Sequence, residues 1–273
     1  MKLKEIVQEL EGKSSFKRKG IICEKLESLG IEYDSGENEG SYNIVANHSG
    51  KIRDIAITCH YDVFKKNKRL ASPGANDDGS GAAAVLGILR KAKQNPLQNL
   101  GIRGIFFGSE EQFRLGSQAY VCNGSCEGLI GVYNLDMVGI GDRFLLWSDY
   151  ELYQGDLLIE FENQSQLQGF SCFRFPYGKR IINVSGDHRS FLDKGFDSVF
   201  CITVIGEEDQ GILEHAIKNN DSKSSELRNR MPVFRTNHSL EDTSRYISEE
   251  ALQMTSNVLW ETLVKLDEKS AED

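Results

Sequence analysis

The chain has 273 residues and a formal net charge of −9, and 39% of its residues are hydrophobic. These values are typical of a soluble globular enzyme and argue against a disordered chain. The acidic balance disfavours nucleic acid and anionic membranes as partners, because both bind through basic surfaces. No stretch approaches the roughly 20 apolar residues of a membrane span.

The first residues, MKLKEIVQELEGK, predict an amphipathic helix and lack the apolar core of a signal peptide. We therefore expect a cytoplasmic protein, although an exported chain that had lost its signal would look the same. The cysteines are dispersed, so reduced and mostly buried thiols are expected. In an exported protein, Cys122 and Cys126 could form a local disulfide.

Strands and helices alternate along the rest of the chain. Residues 2–29 predict two helices that break near GKSS, and residues 42–60 predict a hairpin of two strands with its turn at HSGK. The later elements are a helix over 77–94, strands over 101–108 and 129–139, a helix over 157–166, a strand over 198–206 and a helix over 247–269. This order indicates a single α/β domain over 1–273, a three-layer α/β/α sandwich around a mixed, largely parallel sheet.

The longest polar stretch covers residues 206–235. Loops of this length in compact domains are usually functional or disordered. We expect a loop that walls a pocket and sets specificity, and a solvated insertion is an equally good interpretation.

Residues of the metal-ligand type follow the ends of the predicted strands. His60 and Asp62 are two positions apart at a strand end, so they can share one face, where a carboxylate can orient an imidazole. The others are Asp77 and Asp78 in a glycine-rich turn, Glu110 and Glu111, Asp136, and His238 before the last helix. Ligands in open α/β sheets bind outside the carboxyl ends of strands.

Each of these residues also has an ordinary structural explanation, such as a helix N-cap or a solvated acid. Taken together they form an ordered set that suits two divalent ions. Two such ions, about 3.5–4 Å apart, need a bridging carboxylate with oxygen or imidazole ligands. One further carboxylate must stay outside the metal shell to accept a proton.

The order and local wording resemble the dinuclear zinc aminopeptidases of metallopeptidase family 28. The resemblance rests on HYD, GANDDGSG, SEEQFRLGS, NLDMVG and HSLEDT, which occur in that order between residues 58 and 243. SGDHRSFLDKGFDSV also resembles the stretch before the family's last core strand. The resemblance implies a zinc-exopeptidase-like fold and peptide substrates.

The resemblance also implies a role for each residue. Two Zn²⁺ ions would share Asp77, with His60 and Asp136 completing one site and Glu111 and His238 the other. Glu110 would be the general base for a metal-bridging hydroxide that attacks the scissile carbonyl, and Asp62 would orient His60. A cis peptide is implied between Asp77 and Asp78.

Two departures from the family pattern affect the mechanism and specificity. Asn237 stands where many relatives have a tyrosine that polarises the carbonyl, and 206–235 matches no family segment. Asp187 and His188 could line the site or cap the short helix HRSFLDKG, and we favour the structural role.

Three other functions compete with an aminopeptidase. A glutaminyl-peptide cyclotransferase and a carboxypeptidase would use the same scaffold, and a non-catalytic binding domain would have lost ligands that are all present. A carboxypeptidase needs a cationic cluster to grip a carboxylate. Few arginines lie near the motifs, namely Arg114, Arg189 and Arg235. We therefore expect recognition of the peptide N-terminus.

Overall fold

The structure is a computed structural model that describes residues 2–38, 41–46, 52–67, 69–70, 72–124, 126–147, 155–175, 186–219 and 224–271. Its helices are α1 Leu3–Leu10, α2 Ser15–Ser28, α3 Gly81–Gln94, α4 Leu115–Cys122, α5 Asp156–Leu167, α6 His188–Leu192, α7 Glu207–Asn219, α8 Ser224–Arg230, α9 Pro232–Arg235 and α10 Glu249–Lys269. Its strands are β1 Tyr33–Asp34, β2 Glu37–Asn38, β3 Ser41–Tyr42, β4 Ile44–Ala46, β5 Asp54–His60, β6 Lys65–Lys66, β7 Arg69–Leu70, β8 Gly101–Phe107, β9 Leu129–Leu135, β10 Arg143–Trp147, β11 Cys172–Phe175 and β12 Val199–Ile205.

Eight of these strands form one mixed sheet in the order β1-β4-β8-β5-β9-β12-β10-β11. The four central strands, β8, β5, β9 and β12, run parallel to one another. Antiparallel neighbours flank them, with β4 beside β8 and β10 beside β12. The carboxyl ends of the four central strands therefore meet at one edge.

Helices cover both faces of this sheet. In β5, Ile55 and Ile57 pack into the core that contains α1, α3, α5 and α10, whereas Ala56 packs into the opposite core with residues of α4 and α6. Successive side chains of a strand point to opposite faces, so a strand buried on both faces reads as an unbroken apolar run. The predicted three-layer α/β/α fold is confirmed.

The predicted hairpin over 42–60 is wrong. Strand β8 lies between β4 and β5 and pairs with both of them, antiparallel with β4 and parallel with β5. Every residue of β5 is buried, so this strand takes a central position with parallel partners on both sides, β8 and β9. The HSGK turn lies outside the described residues.

The loop predicted over 206–235 is instead largely helical and contains α7, α8 and α9. Its few apolar side chains, among them Leu213, Leu227 and Val233, are buried in a core with Trp147 and Phe175. The Asp209 carboxylate accepts hydrogen bonds from the amides of Gly206, at 2.9 Å, and Val233, at 3.3 Å. This bond pair joins the first turn of the insertion to its last helix.

Within the described ranges, no helix is long and apolar enough to cross a membrane. All six cysteines lie in described segments and are free thiols, Cys122 and Cys126 included. Only Cys59 and Cys201 are fully buried, so the expectation of mostly buried thiols is met in part.

Candidate metal centre

A pocket of about 420 Å³ opens at the edge where the central strands end. β5 ends at His60, and Asp136 follows the last residue of β9. The pocket is lined by six of the predicted residues, His60, Asp77, Glu110, Glu111, Asp136 and His238. The parallel order of the strands is what brings these distant positions together.

The adjacent aspartates of the glycine-rich turn have different surroundings. The turn Ala75–Ser80 precedes α3, and the peptide bond between Asp77 and Asp78 is cis, as the resemblance implied. The Asp78 carboxylate is buried and accepts from the amides of Gly81, at 2.9 Å, and Met137, at 3.3 Å. Asp78 therefore fixes the start of α3, which leaves Asp77 to line the pocket.

Asp77 stands between two histidines. His60 Nε2 lies 3.0 Å from Asp77 Oδ1, and His238 Nε2 lies 3.3 Å from Asp77 Oδ2. His238 Nε2 is also 3.1 Å from Glu111 Oε1. Two groups of ligand atoms result, each within 4.8 Å, namely His60, Asp77 and Asp136, and Asp77, Glu111 and His238.

This donor set fits two divalent ions of the zinc type. Each group combines one imidazole with two carboxylates, ligands that Zn²⁺ accepts. Asp77 belongs to both groups, and its two oxygens face different histidines. A carboxylate placed in this way can bridge two ions, which was the predicted arrangement.

Burial and mutual hydrogen bonds shift the pKa values of Asp77 and His238. Burial opposes ionisation of Asp77, but hydrogen bonds from His238 and His60 outweigh it and hold the Asp77 pKa far below its usual range. Burial lowers the pKa of His238, whereas its bonds to Asp77 and Glu111 raise it more strongly, to about 10. Metal binding at such a centre must displace protons.

Glu110 lines the pocket but belongs to neither ligand group. Burial raises the pKa of Glu110 to about 10, and the charges of Asp187 and Asp136 add to the shift. Bound cations would act in the opposite direction and favour the carboxylate. A free carboxylate beside two ligand groups is suited to proton transfer.

Asp62 contacts the His60 ring and the backbone of the two adjacent glutamates. Its Oδ1 lies 3.3 Å from His60 Nδ1, an ion-pair distance without hydrogen-bond geometry. Its two carboxylate oxygens accept from the amides of Glu110, at 3.0 Å, and Glu111, at 3.2 Å. The pattern of His60 and Asp62 in the sequence predicted the first contact. No sequence pattern indicated the hydrogen bonds from the backbone amides, which hold the adjacent glutamates in place.

Sequence reasoning missed two buried charges that hold the turn. Asp242, the last acid of HSLEDT, accepts from the amides of Asn76, at 2.7 Å, and Asp77, at 3.2 Å. Arg18 is fully buried and donates to the carbonyls of Leu10, Pro73 and Gly74. A signal for Arg18 was present, because Arg18, Ile22 and Leu26 are spaced by four residues and form the buried face of α2.

Two further side chains contact the pocket ligands. Phe64 stacks on the His238 ring with 4.2 Å between centroids and 4° between planes. Asn237, which replaces the tyrosine of many relatives, donates from Nδ2 to Asp77 Oδ2. Neither contact was foreseen.

The structure does not support Asp187 as a capping residue. Asp187 occupies the N-cap position of α6 but makes no capping hydrogen bond. Its carboxylate is buried, and this burial raises the Asp187 pKa to about 7. The neighbouring His188 is also buried, and burial, aided by the charge of Arg114, lowers its pKa to about 3.

Comparison with known proteins identifies relatives of this chain. Residues 43–263 match the profile of peptidase family M28. The chain is 30% identical over 216 residues to aminopeptidase YwaD of Bacillus subtilis. The match covers 75% of this chain and 39% of that protein. The structure of BSAP, a zinc aminopeptidase from Bacillus subtilis, matches with a TM-score of 0.61 and 25% identity over 82% of this chain and 50% of that one.

A glutaminyl cyclase from Porphyromonas gingivalis shares the fold at 17% identity, with a TM-score of 0.72 and 97% of both chains covered. The chain spans less than two thirds of the length of the Bacillus proteins named above. The cytoplasmic location stays a prediction, since none of these comparisons tests it.

Proposed function

The chain belongs to peptidase family M28, and we propose that it is a zinc-dependent aminopeptidase that removes N-terminal residues from peptides. One observation carries the proposal: Asp77 is shared by two ligand groups, and the free carboxylate of Glu110 lies in the same pocket. A binding domain that had lost catalysis would have no need of this complete set.

The residues divide the work as follows. His60, Asp77, Asp136, Glu111 and His238 would hold two divalent ions, which when bound polarise a carbonyl and acidify water. Glu110 accepts a proton from the attacking water and passes it to the departing amine. Asp62 keeps Glu110 in place through the backbone amide that it binds.

The charge of the pocket bears on which end of the peptide is recognised. Four carboxylates line the pocket, those of Asp77, Glu110, Glu111 and Asp136. Three of them would bind the ions, which leaves Glu110 to face the positive charge of an α-ammonium group, and an N-acetyl group has no such charge. Of the arginines considered above, Arg235 is exposed and does not line the pocket, whereas Arg114 does.

The test uses matched peptides and metal removal. We expect N-acetylation of a short peptide to abolish cleavage. A strong chelator should abolish turnover, and Zn²⁺, Co²⁺ or Mn²⁺ should restore it. Full activity in the metal-free protein, or cleavage of the acetylated peptide alone, would contradict the proposal. Release of a pyroglutamyl product from a glutaminyl peptide would identify a cyclase instead.

A further inference from the structure

Two arginines line the same pocket as the candidate ligands. Arg114 lies four residues after Glu110 and immediately precedes α4, and Arg228 comes from α8 in the helical insertion. Neither arginine contacts a candidate metal ligand in the ion pairs of the described residues. The two arginines therefore take no part in the candidate ligand groups, and their guanidinium groups can contact a substrate instead.

In the metal-loaded pocket, the Arg228 guanidinium has no carboxylate partner among the residues that the structure describes. The four lining carboxylates carry four negative charges when ionised, and two divalent ions carry four positive charges. The ions would then balance these carboxylates, which leaves them unavailable to pair with Arg228. An anionic group on the substrate could serve as the partner of this guanidinium.

Arg228 is the better placed of the two to bind an anion. Its guanidinium packs over the ring of Phe234 at 5.5 Å from the centroid, and no carboxylate pairs with it within the part of the chain that the structure describes. An aromatic ring holds a guanidinium by its face and leaves the N–H groups at the edge available. Phe234 also lines the pocket.

Arg114 is held less freely. Its side chain is 19% exposed, and Nη1 lies 3.6 Å from Asp193 Oδ2. That nitrogen is buried and faces Asp193, so any contact with a ligand must come from the part of the guanidinium that lines the pocket. Arg114 thus adds a second, weaker contact to the one that Arg228 offers.

We propose that the preferred substrates carry a carboxylate that Arg228 binds, with Arg114 assisting. This inference rests on the proposed function and names its substrate class. Guanidinium groups bind carboxylates with two parallel hydrogen bonds. The carboxylate has two sources, the acidic side chain of an N-terminal Asp or Glu, and the free C-terminus of a short peptide. A cavity of about 420 Å³ is of the size that holds a small ligand.

The experiment compares substrates that differ only in this charge. The first pair is the p-nitroanilides of glutamate and glutamine, and the second is a Leu-Ala dipeptide with a free or an amidated C-terminus. Each is assayed with the metal-loaded wild type and with Arg228→Gln, Arg114→Gln and Arg230→Gln. Arg230 is a matched control, because it lies on the same helix, is exposed and does not line the pocket.

The wild type should favour the carboxylate member of at least one pair by tenfold or more in kcat/KM. A hydrogen bond to a charged group strengthens binding by about this factor. The pair that shows the preference identifies the source. Arg228→Gln should abolish that preference, chiefly through KM, and Arg114→Gln should reduce it. Arg230→Gln should keep the wild-type rate on both members of each pair within about twofold, and urea titration shows whether the three variants are folded.

Two results would overturn the inference. One is a wild type that treats both members of each pair alike, and the other is an Arg228→Gln variant that keeps the full preference. Loss of the preference in Arg230→Gln would equally contradict the assignment to Arg228. Failure of the aminopeptidase proposal would look different, since neither p-nitroanilide would then be hydrolysed, whereas a carboxypeptidase could still cleave the free Leu-Ala dipeptide.

Discussion

Replacing Arg18 with methionine tests whether a buried cation holds the turn of Asp77. The change keeps an apolar stem but leaves the carbonyls of Leu10, Pro73 and Gly74 without this donor. An unsatisfied buried acceptor costs about 1–3 kcal/mol. Burial lowers the Arg18 pKa from 12.5 to about 10, so relief of that cost returns about 3 kcal/mol.

With the middle of that range for each of the three carbonyls, and the relief subtracted, Arg18→Met should lose about 3 kcal/mol in the free energy of unfolding. This agrees with the roughly 3–5 kcal/mol that follows removal of one member of a buried charged network. Because the turn carries Asp77, metal affinity should also fall by about 10–100-fold, as is typical when a supporting residue is lost.

Urea titration of the metal-free proteins measures the first effect, and calorimetric titration with Zn²⁺ measures the second. Lys17→Met is the control, since Lys17 is the exposed neighbour of Arg18 on α2. If Arg18→Met stayed within 1 kcal/mol of the wild type and bound Zn²⁺ equally well, the role assigned to Arg18 would be wrong.

Three further predictions concern individual side chains. Glu111→Ala should lower the number of bound ions per chain, whereas Glu110→Gln should keep them and lose about 10²–10⁴-fold in kcat; normal turnover by Glu110→Gln would refute its role as base. Phe64→Leu removes the ring stacked on His238 and should weaken one metal site about tenfold in competition with a chromophoric chelator, and equal affinity would reduce the stack to packing. Burial lowers the His188 pKa to about 3, so between about pH 6.5 and 3 the unfolded chain binds a proton that the folded protein does not, and stability falls as pH falls, at up to about 1.4 kcal/mol per unit. Urea titrations of His188→Gln should show a shallower pH dependence, and an unchanged slope would contradict this reasoning.

The sequence predicted the layered fold and the residues of the pocket for a shared physical reason. Apolar runs buried on both faces identify central strands, and the polar residues that follow such runs, such as His60 and Asp136, must lie at one sheet edge. The structure brings the predicted ligands into two groups around Asp77. Their roles stay predictions that the variants above can test.

Local sequence patterns could not predict the strand order or the residues that contact the site from distant positions in the chain. The place of β8 between β4 and β5 depends on how many partners a fully buried strand requires, which no local pattern encodes. Asp242 and Arg18 act on backbone amides and carbonyls far away in the sequence, so their partners have no side-chain signature. The pocket position of Arg228 depends on how the helical insertion folds back onto the sheet.

The supports of the Asp77 turn also determine when this centre can first exist. Arg18 donates hydrogen bonds to carbonyls that precede Asp77, and Asp242 accepts hydrogen bonds from amides of the turn. The two residues lie far apart along the chain. During synthesis on the ribosome, residue 18 emerges before all eight strands of the sheet and residue 242 emerges after all of them. A nascent chain or fragment that ends before residue 242 therefore lacks one support of the turn, so the candidate metal centre would form only after the whole sheet has been made.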